Sequence, residues 1–255
     1  MLGAIAGDVV GSIHEHARTK TRDFPLFVEA CTFTDDTVLT VAVARAILEG
    51  TAYRDEVLRL GREHPGAGYG GSFRRWLREE DPQPYGSWGN GSAMRVSPVG
   101  LAFTDEASVL REAEKSAAIT HDHPEGIKGA QAVALAVFLA RQGASKEEIR
   151  LRISGDFGHD LTRSVDEIRP GYRFDVSCQG SVPEAILSFL EADDLEGTLR
   201  NAISLGGDAD TLAAIAGGIA EAFWGGLPRA DHHQLRTSSA KPRRPSASWR
   251  RQGLR

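Results

Sequence analysis

Residues 33–48 read FTDDTVLTVAVARAIL: two adjacent carboxylates between threonines, followed at once by an apolar run. Val38, Leu39 and Ala42 follow the three-to-four-residue spacing of one helix face, which predicts a helix over about 35–48. A second stretch, GGDADT (206–211), opens another helical pattern over 210–224 in the same way. The sequence therefore predicts two helices whose first turns together carry four carboxylates.

Helix capping explains part of this pattern. A Thr or Asp before a helix accepts a backbone N–H and stabilises the helix by ~1 kcal/mol, and an acidic first turn complements the helix dipole. A cap uses one side-chain oxygen, however, and both stretches offer several. Neighbouring carboxylates repel one another unless protons or cations neutralise them. Clusters of Asp and Thr oxygens suit Mg²⁺, Mn²⁺ or Ca²⁺ better than zinc, so the pattern favours a metal-dependent hydrolase.

The rest of the chain also has helical periodicity and almost no strand pattern. The first helix is predicted from Leu2 to Ile13, with small residues that permit a neighbouring helix to approach closely. Pro124 and Pro183 are predicted in the first turns of their helices. Further helices are predicted at 54–63, 72–79, 106–118, 125–141, 146–153, 182–192 and 194–204. The stretches 81–98 and 154–180 are predicted to be ordered loops.

Composition indicates a cytosolic protein with one domain, 1–228, and a basic tail, 229–255. The tail has eight Lys or Arg against one Asp, so it carries +7 and the remaining 228 residues carry −12. Its Ser, Pro and Arg content predicts disorder. The acidic body argues against a nucleic-acid surface, and no membrane-spanning stretch is evident. The two cysteines form no disulfide framework, which fits a reducing cytoplasm, and we expect a monomer.

Two further motifs have both ordinary and functional interpretations. The loop GSWGNGSAMR (86–95) has three glycines that let a ligand approach the backbone and its N–H groups, but a plain Gly-Asn turn explains it too. His121 and His123 suggest zinc, yet no third nitrogen or sulfur ligand is near in sequence, so His121 is interpreted as a polar pocket wall. Cys178 is predicted to be a small buried residue.

Taken in order, five motifs resemble the ADP-ribosylglycohydrolase family, which includes the enzyme that reactivates dinitrogenase reductase. They are GDVVGS (7–12), FTDDT (33–37), GSWGNGSAMR (86–95), Thr120-His121 and GDADT (207–211). The resemblance covers residues 1 to about 228. It implies an all-α fold, a single compact orthogonal multi-helix bundle, with a site for two divalent cations, Mg²⁺ or Mn²⁺. It also implies hydrolysis of the N- or O-glycosidic bond between ADP-ribose and a modified side chain.

The resemblance also implies roles for individual residues. The metal ligands would be Thr34, Asp35, Asp36, Asp208, Asp210 and Thr211. The residues that hold ADP-ribose would be Ser87, Trp88, Gly89, Asn90, Gly91 and His121. Glu15, expected at the end of the first helix, matches the family's catalytic or gating glutamate. Either Glu15 or Asp36 would transfer the proton during an oxocarbenium-like hydrolysis.

Other functions fit the same motifs. The leaving group could belong to a free ADP-ribose derivative such as O-acetyl-ADP-ribose, or to ADP-ribosylated nucleic acid. A catalytically silent ADP-ribose binder, like the lens crystallins of this family, is the alternative from another class. The two acidic stretches argue against the silent protein, because adjacent carboxylates are costly without a metal. The linkage that is cut depends on loops whose conformation the sequence does not specify.

Overall fold

The computed structural model describes residues 1–226, and within them the chain forms thirteen α-helices and no β-strand. The helices are α1 (Leu2–Gly11), α2 (Asp35–Glu49), α3 (Tyr53–Glu63), α4 (Gly71–Trp76), α5 (Gly91–Met94), α6 (Ser97–Ala102), α7 (Glu106–Ala118), α8 (Pro124–Arg141), α9 (Lys146–Phe157), α10 (Val165–Ile168), α11 (Cys178–Leu190), α12 (Leu195–Ser204) and α13 (Ala209–Trp224). The all-α helical bundle predicted from the sequence is confirmed.

Two helices, α8 and α13, form the centre of the bundle. Every residue from Ala209 to Ala220 in α13 is buried, and α8 is buried along most of its length. A helix that is apolar on all sides belongs in the interior of a protein, surrounded by other helices. Because α13 begins at Ala209, its first turn carries acidic side chains directly into that interior.

Helix α1 packs along α13 at backbone contact distance. A Cβ built on Gly3 would lie 2.2 Å from the Gly217 carbonyl oxygen, and one on Gly7 would lie 2.1 Å from the carbonyl oxygen of Ala213. A Cβ on Gly11 would lie 2.5 Å from the Asp210 Cα. No larger residue fits these positions, so the close approach predicted from the small residues of α1 is confirmed.

The predicted helices are present, with differences at their ends. The stretch 106–118 is reproduced without change, and 125–141 begins one residue earlier at Pro124, which lies in the first turn as predicted. The helix predicted at 182–192 is wrong at its start, because α11 begins at Cys178, where the Ser177 side chain accepts from the Gly180 N–H.

Pro183 is therefore not in a first turn, as predicted, but is the sixth residue of α11. Proline has no N–H, so the backbone bond from position 183 to the Gln179 carbonyl cannot form. The sequence signal was misread because a proline near a helix start is common. Because the helix is capped by Ser177, six residues before Pro183, its first turn ends before the proline.

The two stretches predicted to be loops contain short helices. Helices α5 and α6 begin within 81–98, and α10 lies within 154–180, where Ser164 and Glu167 form a capping box. Helices of four to six residues give no clear apolar period, which is why the sequence pattern did not predict them. The two long loops are joined by one isolated antiparallel bridge between Gly89 and Ser177.

Among the helices of residues 1–226, none is both long and apolar enough to cross a bilayer. The tail predicted to be disordered, 229–255, lies outside the described residues.

Candidate active site

Asp8 joins α1 to the first acidic stretch. Its carboxylate is 0% exposed and accepts three hydrogen bonds: from the Thr34 N–H at 2.9 Å, the Thr34 hydroxyl at 2.6 Å and the Thr37 N–H at 3.1 Å. These donors belong to the first turn of α2, where unpaired N–H groups favour an anion. Asp8 thus fixes the start of α2 against α1.

Three carboxylates from distant parts of the chain meet at this point. One oxygen each of Asp8, Asp36 and Asp210 lies within 4.8 Å of the other two, and all three residues are buried. The Thr211 hydroxyl donates to Asp36 Oδ2 at 3.3 Å, and the Thr34 hydroxyl oxygen, whose hydrogen goes to Asp8, lies 3.3 Å from the same atom. The two acidic stretches predicted from the sequence therefore lie together, with Asp8 as an additional member.

A second group of carboxylates shares Asp210 with the first. Glu15, Asp208 and Asp210 also place one oxygen each within 4.8 Å of one another. Glu15 does not end α1, as expected, because that helix stops at Gly11 and Glu15 lies in the turn that follows. Its side chain keeps 25% of its surface exposed, so this second group is accessible from outside.

The cluster has excess negative charge. Burial, then the charge of Asp210, raises the pKa of Asp8 to about 6, and burial, then Glu15, raises that of Asp210 to about 6. Burial and neighbouring carboxylates also raise the pKa values of Asp35, Asp36 and Asp208 well above the usual range. Within residues 1–226 no Lys or Arg forms an ion pair with any of these five aspartates. Protons or bound cations must offset the charge.

The donor set fits hard divalent cations. Asp36 Oδ1 is buried and has no hydrogen-bond partner among the described residues, although an ionised oxygen in that position needs one. The atoms around it are carboxylate and hydroxyl oxygens, which Mg²⁺ and Mn²⁺ prefer. Asp35 belongs to neither three-carboxylate group; it is partly exposed, and its Oδ1 faces Gly68.

Asn90 connects the glycine-rich loop to the second acidic stretch. Its amide nitrogen donates to Asp208 Oδ2 at 2.7 Å and to the Ser181 hydroxyl at 3.1 Å, and the residue is 6% exposed. Both amide hydrogens are used inside the protein. The side chain predicted to hold a ligand therefore orients an acidic residue.

The backbone of the same loop differs from the sequence-based expectation. Four of its N–H groups have internal acceptors: Gly86 bonds to Asp122, Ser87 to the Thr120 carbonyl, Gly89 to the Ser87 hydroxyl and Asn90 to the Val176 carbonyl. The expectation that the loop offers its N–H groups to a ligand is wrong for these four. What the loop offers outward is the Trp88 ring, which is 49% exposed.

His121 lies beneath the loop. It is 5% exposed, and a Cβ built on Gly91 would lie 3.2 Å from its Nε2, which is why glycine occupies that position. Phe174 and Val176, on the neighbouring loop, are 51% and 46% exposed. The predicted binding residues therefore share one region, with aromatic surface at its rim and a buried imidazole behind it.

Sequence reasoning missed two residues that build the site. Asp8 was quoted only as part of a motif, although an aspartate between apolar residues of a helix is a signal for a buried polar role. Lys20 donates to the carbonyl oxygens of Arg169, Tyr172 and Leu205, and so fixes the segment before the second acidic stretch. A lysine in an irregular stretch gives no comparable sequence signal. Cys178 is buried as predicted.

The chain is similar to proteins of known activity. A sequence model of the family described as ADP-ribosylglycohydrolase matches residues 1–245. The ADP-ribosylhydrolase ARH3 of Mus musculus is 29% identical, with 88% of this chain and 82% of ARH3 covered. ARH3 of Danio rerio is 30% identical, with 88% and 81% covered. The ADP-ribosylarginine hydrolase Tri1 of Pseudomonas putida is 26% identical, with 89% and 71% covered.

A solved structure has the same fold. A chain of an ADP-ribosylglycohydrolase-related protein complex aligns with a TM-score of 0.65 and 26% sequence identity. The alignment covers 93% of this chain and 94% of the other chain, so it extends over the whole bundle.

Proposed function

Because the chain belongs to the ADP-ribosylglycohydrolase family, we propose that it is a divalent-metal-dependent hydrolase that removes ADP-ribose from a modified side chain. The observation that carries the proposal is the pair of carboxylate groups that share Asp210, whose aspartates form no ion pair with a Lys or Arg of residues 1–226. Family membership supplies the reaction class, and the acidic cluster supplies a reason for metal dependence.

The two carboxylate groups would hold two cations, Mg²⁺ or Mn²⁺. Asp8, Asp36 and Asp210 surround the first position, and Glu15, Asp208 and Asp210 surround the second. Thr34, Asp35 and Thr211 would complete the coordination, as the resemblance implies. A bound divalent cation polarises substrate oxygens and lowers the pKa of water.

Glu15 is our candidate for proton transfer. It combines partial exposure with a place in the second carboxylate group, so it can contact both the substrate and the attacking water. Asp36, the alternative, is 3% exposed and accepts a hydrogen bond from the Thr211 hydroxyl. That environment suits a metal ligand better than a group that must reach the leaving group.

The substrate would lie between the acidic cluster and the glycine-rich loop. Trp88 offers a ring for stacking, and Ser87, Gly89 and Gly91 would contact the sugar or a phosphate beside it, as the resemblance implies. Asn90 contributes indirectly, by holding Asp208. His121 closes the pocket from below.

A second candidate function uses the same cluster. The substrate could be a free ADP-ribose derivative such as O-acetyl-ADP-ribose, or ADP-ribosylated nucleic acid; the acidic body of the protein makes nucleic acid the weaker choice. A silent ADP-ribose binder remains the alternative outside catalysis. We expect a monomer in a reducing cytoplasm, and the side chains of Cys31 and Cys178 are both buried.

The test is a release assay on defined substrates. Peptides carrying ADP-ribose on arginine or on serine, ADP-ribosylated nucleic acid and O-acetyl-ADP-ribose are incubated with the protein and Mg²⁺, and free ADP-ribose is measured. We expect release from at least one peptide, its loss with a chelator, and its loss in Glu15→Gln. Tight binding of ADP-ribose with no release from any substrate would instead establish the silent binder.

A further inference from the structure

A fully buried arginine ends the glycine-rich stretch 86–95. Arg95 is 0% exposed, and no carboxylate within residues 1–226 pairs with it. Its Nη2 donates to the Ser116 carbonyl oxygen and to the Thr120 hydroxyl, each at 2.9 Å. A guanidinium without a counter-charge is costly to bury, and here its bonds go to the end of α7 and to the residue before His121.

Thr120 links this arginine to His121. The Thr120 hydroxyl oxygen lies 2.7 Å from His121 Nδ1, and Thr120 is 0% exposed. A hydroxyl has one hydrogen and two lone pairs, whereas a guanidinium can only donate. Because Arg95 already donates to the hydroxyl oxygen, the hydroxyl hydrogen is directed to Nδ1.

The opposite tautomer would leave a buried group without a partner. Arg95 and His121 are the partners of the Thr120 hydroxyl in the described part of the chain. If Nδ1 carried the proton, the hydroxyl hydrogen would have no acceptor. Leaving a buried donor unpaired disfavours that arrangement by about ten-fold or more.

We propose that Arg95 and Thr120 are positioning residues that hold His121 neutral with its proton on Nε2, so that the imidazole presents a single hydrogen-bond donor toward Gly89 and Gly91. A Cβ built on these glycines would lie 3.7 and 3.2 Å from Nε2, so this edge of the ring faces the loop. The donor would meet an oxygen of the ligand, a phosphate or a ribose hydroxyl. That last step rests on the proposed function, whereas the tautomer does not.

The surroundings of His121 also favour the neutral ring. Burial first, and then the charge of Arg95, lowers the pKa of His121 well below its usual value. Two titratable groups near it in residues 1–226 are Arg95, behind Thr120, and Tyr85, whose ring centroid lies 6.1 Å away. Neither carries a negative charge near neutral pH, so neither stabilises an imidazolium.

Nitrogen NMR on the ligand-free protein tests the tautomer directly. The chain has eight histidines, so the His121 signals are assigned by their loss in His121→Gln, and long-range proton–nitrogen spectra show which nitrogen is protonated. We expect Nε2–H in the wild type at pH 7. A protonated Nδ1, or an imidazolium, in the wild type would overturn the proposal.

Substitution of Thr120 separates positioning from packing. Thr120→Val keeps the shape but removes the hydroxyl, and we expect Nδ1–H to appear and the KM for the ADP-ribosylated peptide to rise about ten-fold, with a smaller change in kcat. Thr120→Ser should restore both. Thr198→Val is the matched control, because Thr198 is also 0% exposed but bonds to the Asp194 carbonyl.

The outcomes distinguish this inference from the proposed function. An unchanged tautomer in Thr120→Val, or a change as large in Thr198→Val, would refute the positioning role. A tautomer that behaves as expected in a protein that binds no ADP-ribose would uphold the inference and refute the proposed function.

Discussion

The two acidic stretches resemble each other in sequence, but the structure holds them in different ways. Thr34 is the N-cap of α2 and accepts from the Asp36 N–H, a contact within one turn. Asp208 precedes α13 without any side-chain capping bond, and its carboxylate is held by Asn90, 118 residues away in sequence. The first stretch combines this local cap with the bonds that Thr34 and Thr37 donate to Asp8, whereas the second has no such cap and is held by the tertiary contact to Asn90. Similar acidic helix starts therefore need not have the same structural role.

Asp210 belongs to both carboxylate groups, so its loss gives the largest expected effect. We expect Asp210→Asn to lower kcat/KM by more than the about 10- to 100-fold that changes behind a metal ligand cost. The metal-free variant should be at least as stable as the wild type, because one repelling carboxylate is removed. Release assays and thermal unfolding without metal measure the two effects.

Asp194→Asn is the control for this change, because Asp194 caps α12 through the Gly197 N–H and has no part in the cluster. Full activity in Asp210→Asn would refute the shared metal site. A clear loss of stability would show that Asp210 mainly stabilises the fold.

Asn90→Ala should weaken metal binding at the second carboxylate group (Glu15, Asp208 and Asp210) and leave metal binding at the first group unchanged. Its amide fixes Asp208, and loss of such an orienting partner lowers metal affinity by about 10- to 100-fold. Titration calorimetry with Mn²⁺ should show one site weakened and the other retained. Equal weakening of both sites would mean that the two stretches are not positioned independently.

The stability of the metal-free protein should fall as pH rises. The pKa values of Asp8 and Asp210 are raised to about 6 in the folded protein from 3.8. Between about pH 4 and 6 the folded state therefore holds protons that the unfolded chain has released, and its stability declines through that window. A shift of two units corresponds to about 3 kcal/mol for one group, or a Tm lower by about 5–10 °C.

Mg²⁺ should restore the Tm at pH 8 and have little effect at pH 5, where protons already occupy the carboxylates. Differential scanning calorimetry at both pH values measures this. A Tm that rises from pH 5 to pH 8 in the presence of a chelator would contradict the charge assignment.

Thr34→Val gives the smallest expected effect and examines the capped stretch alone. It removes the N-cap oxygen and the hydrogen bond to Asp8, so we expect a loss of about 1–2 kcal/mol in the free energy of unfolding. Thr34→Ser keeps the hydroxyl, so it should retain most of the wild-type stability. Urea titration without metal measures the free energy of unfolding of Thr34→Val and Thr34→Ser. Equal values for the two variants would refute the capping role.

Much of the fold could be predicted because helix ends are set by local chemistry. The prediction for α7 matched at both ends, since Asp105 caps the helix and the apolar spacing ends at Ala118. The start of α11 was missed because the Ser177 cap lies before an interior proline, and a proline suggests a first turn. The short helix α5 was missed because four residues complete barely one turn.

Which residues form the candidate site could be predicted in part, but the hydrogen bonds that hold them in place could not. The two acidic stretches were visible as motifs, and the structure brings them together. The partners that hold them were not visible, because the bonds from Asp8 to Thr34 and from Asn90 to Asp208 span 26 and 118 residues. The internal use of the Gly86 and Gly89 N–H groups was also invisible, since it depends on the conformation of the loop.

The glycine contacts between α1 and α13 also bear on the order of folding. Gly7 and Ala213 touch through their backbones although 206 residues separate them, so the site forms only after a very long loop closes. During synthesis Asp8 and Asp36 emerge from the ribosome long before Asp210. If the proposed metal site is present, the nascent chain would hold an incomplete set of ligands, and tight metal binding would begin only when α13 has docked.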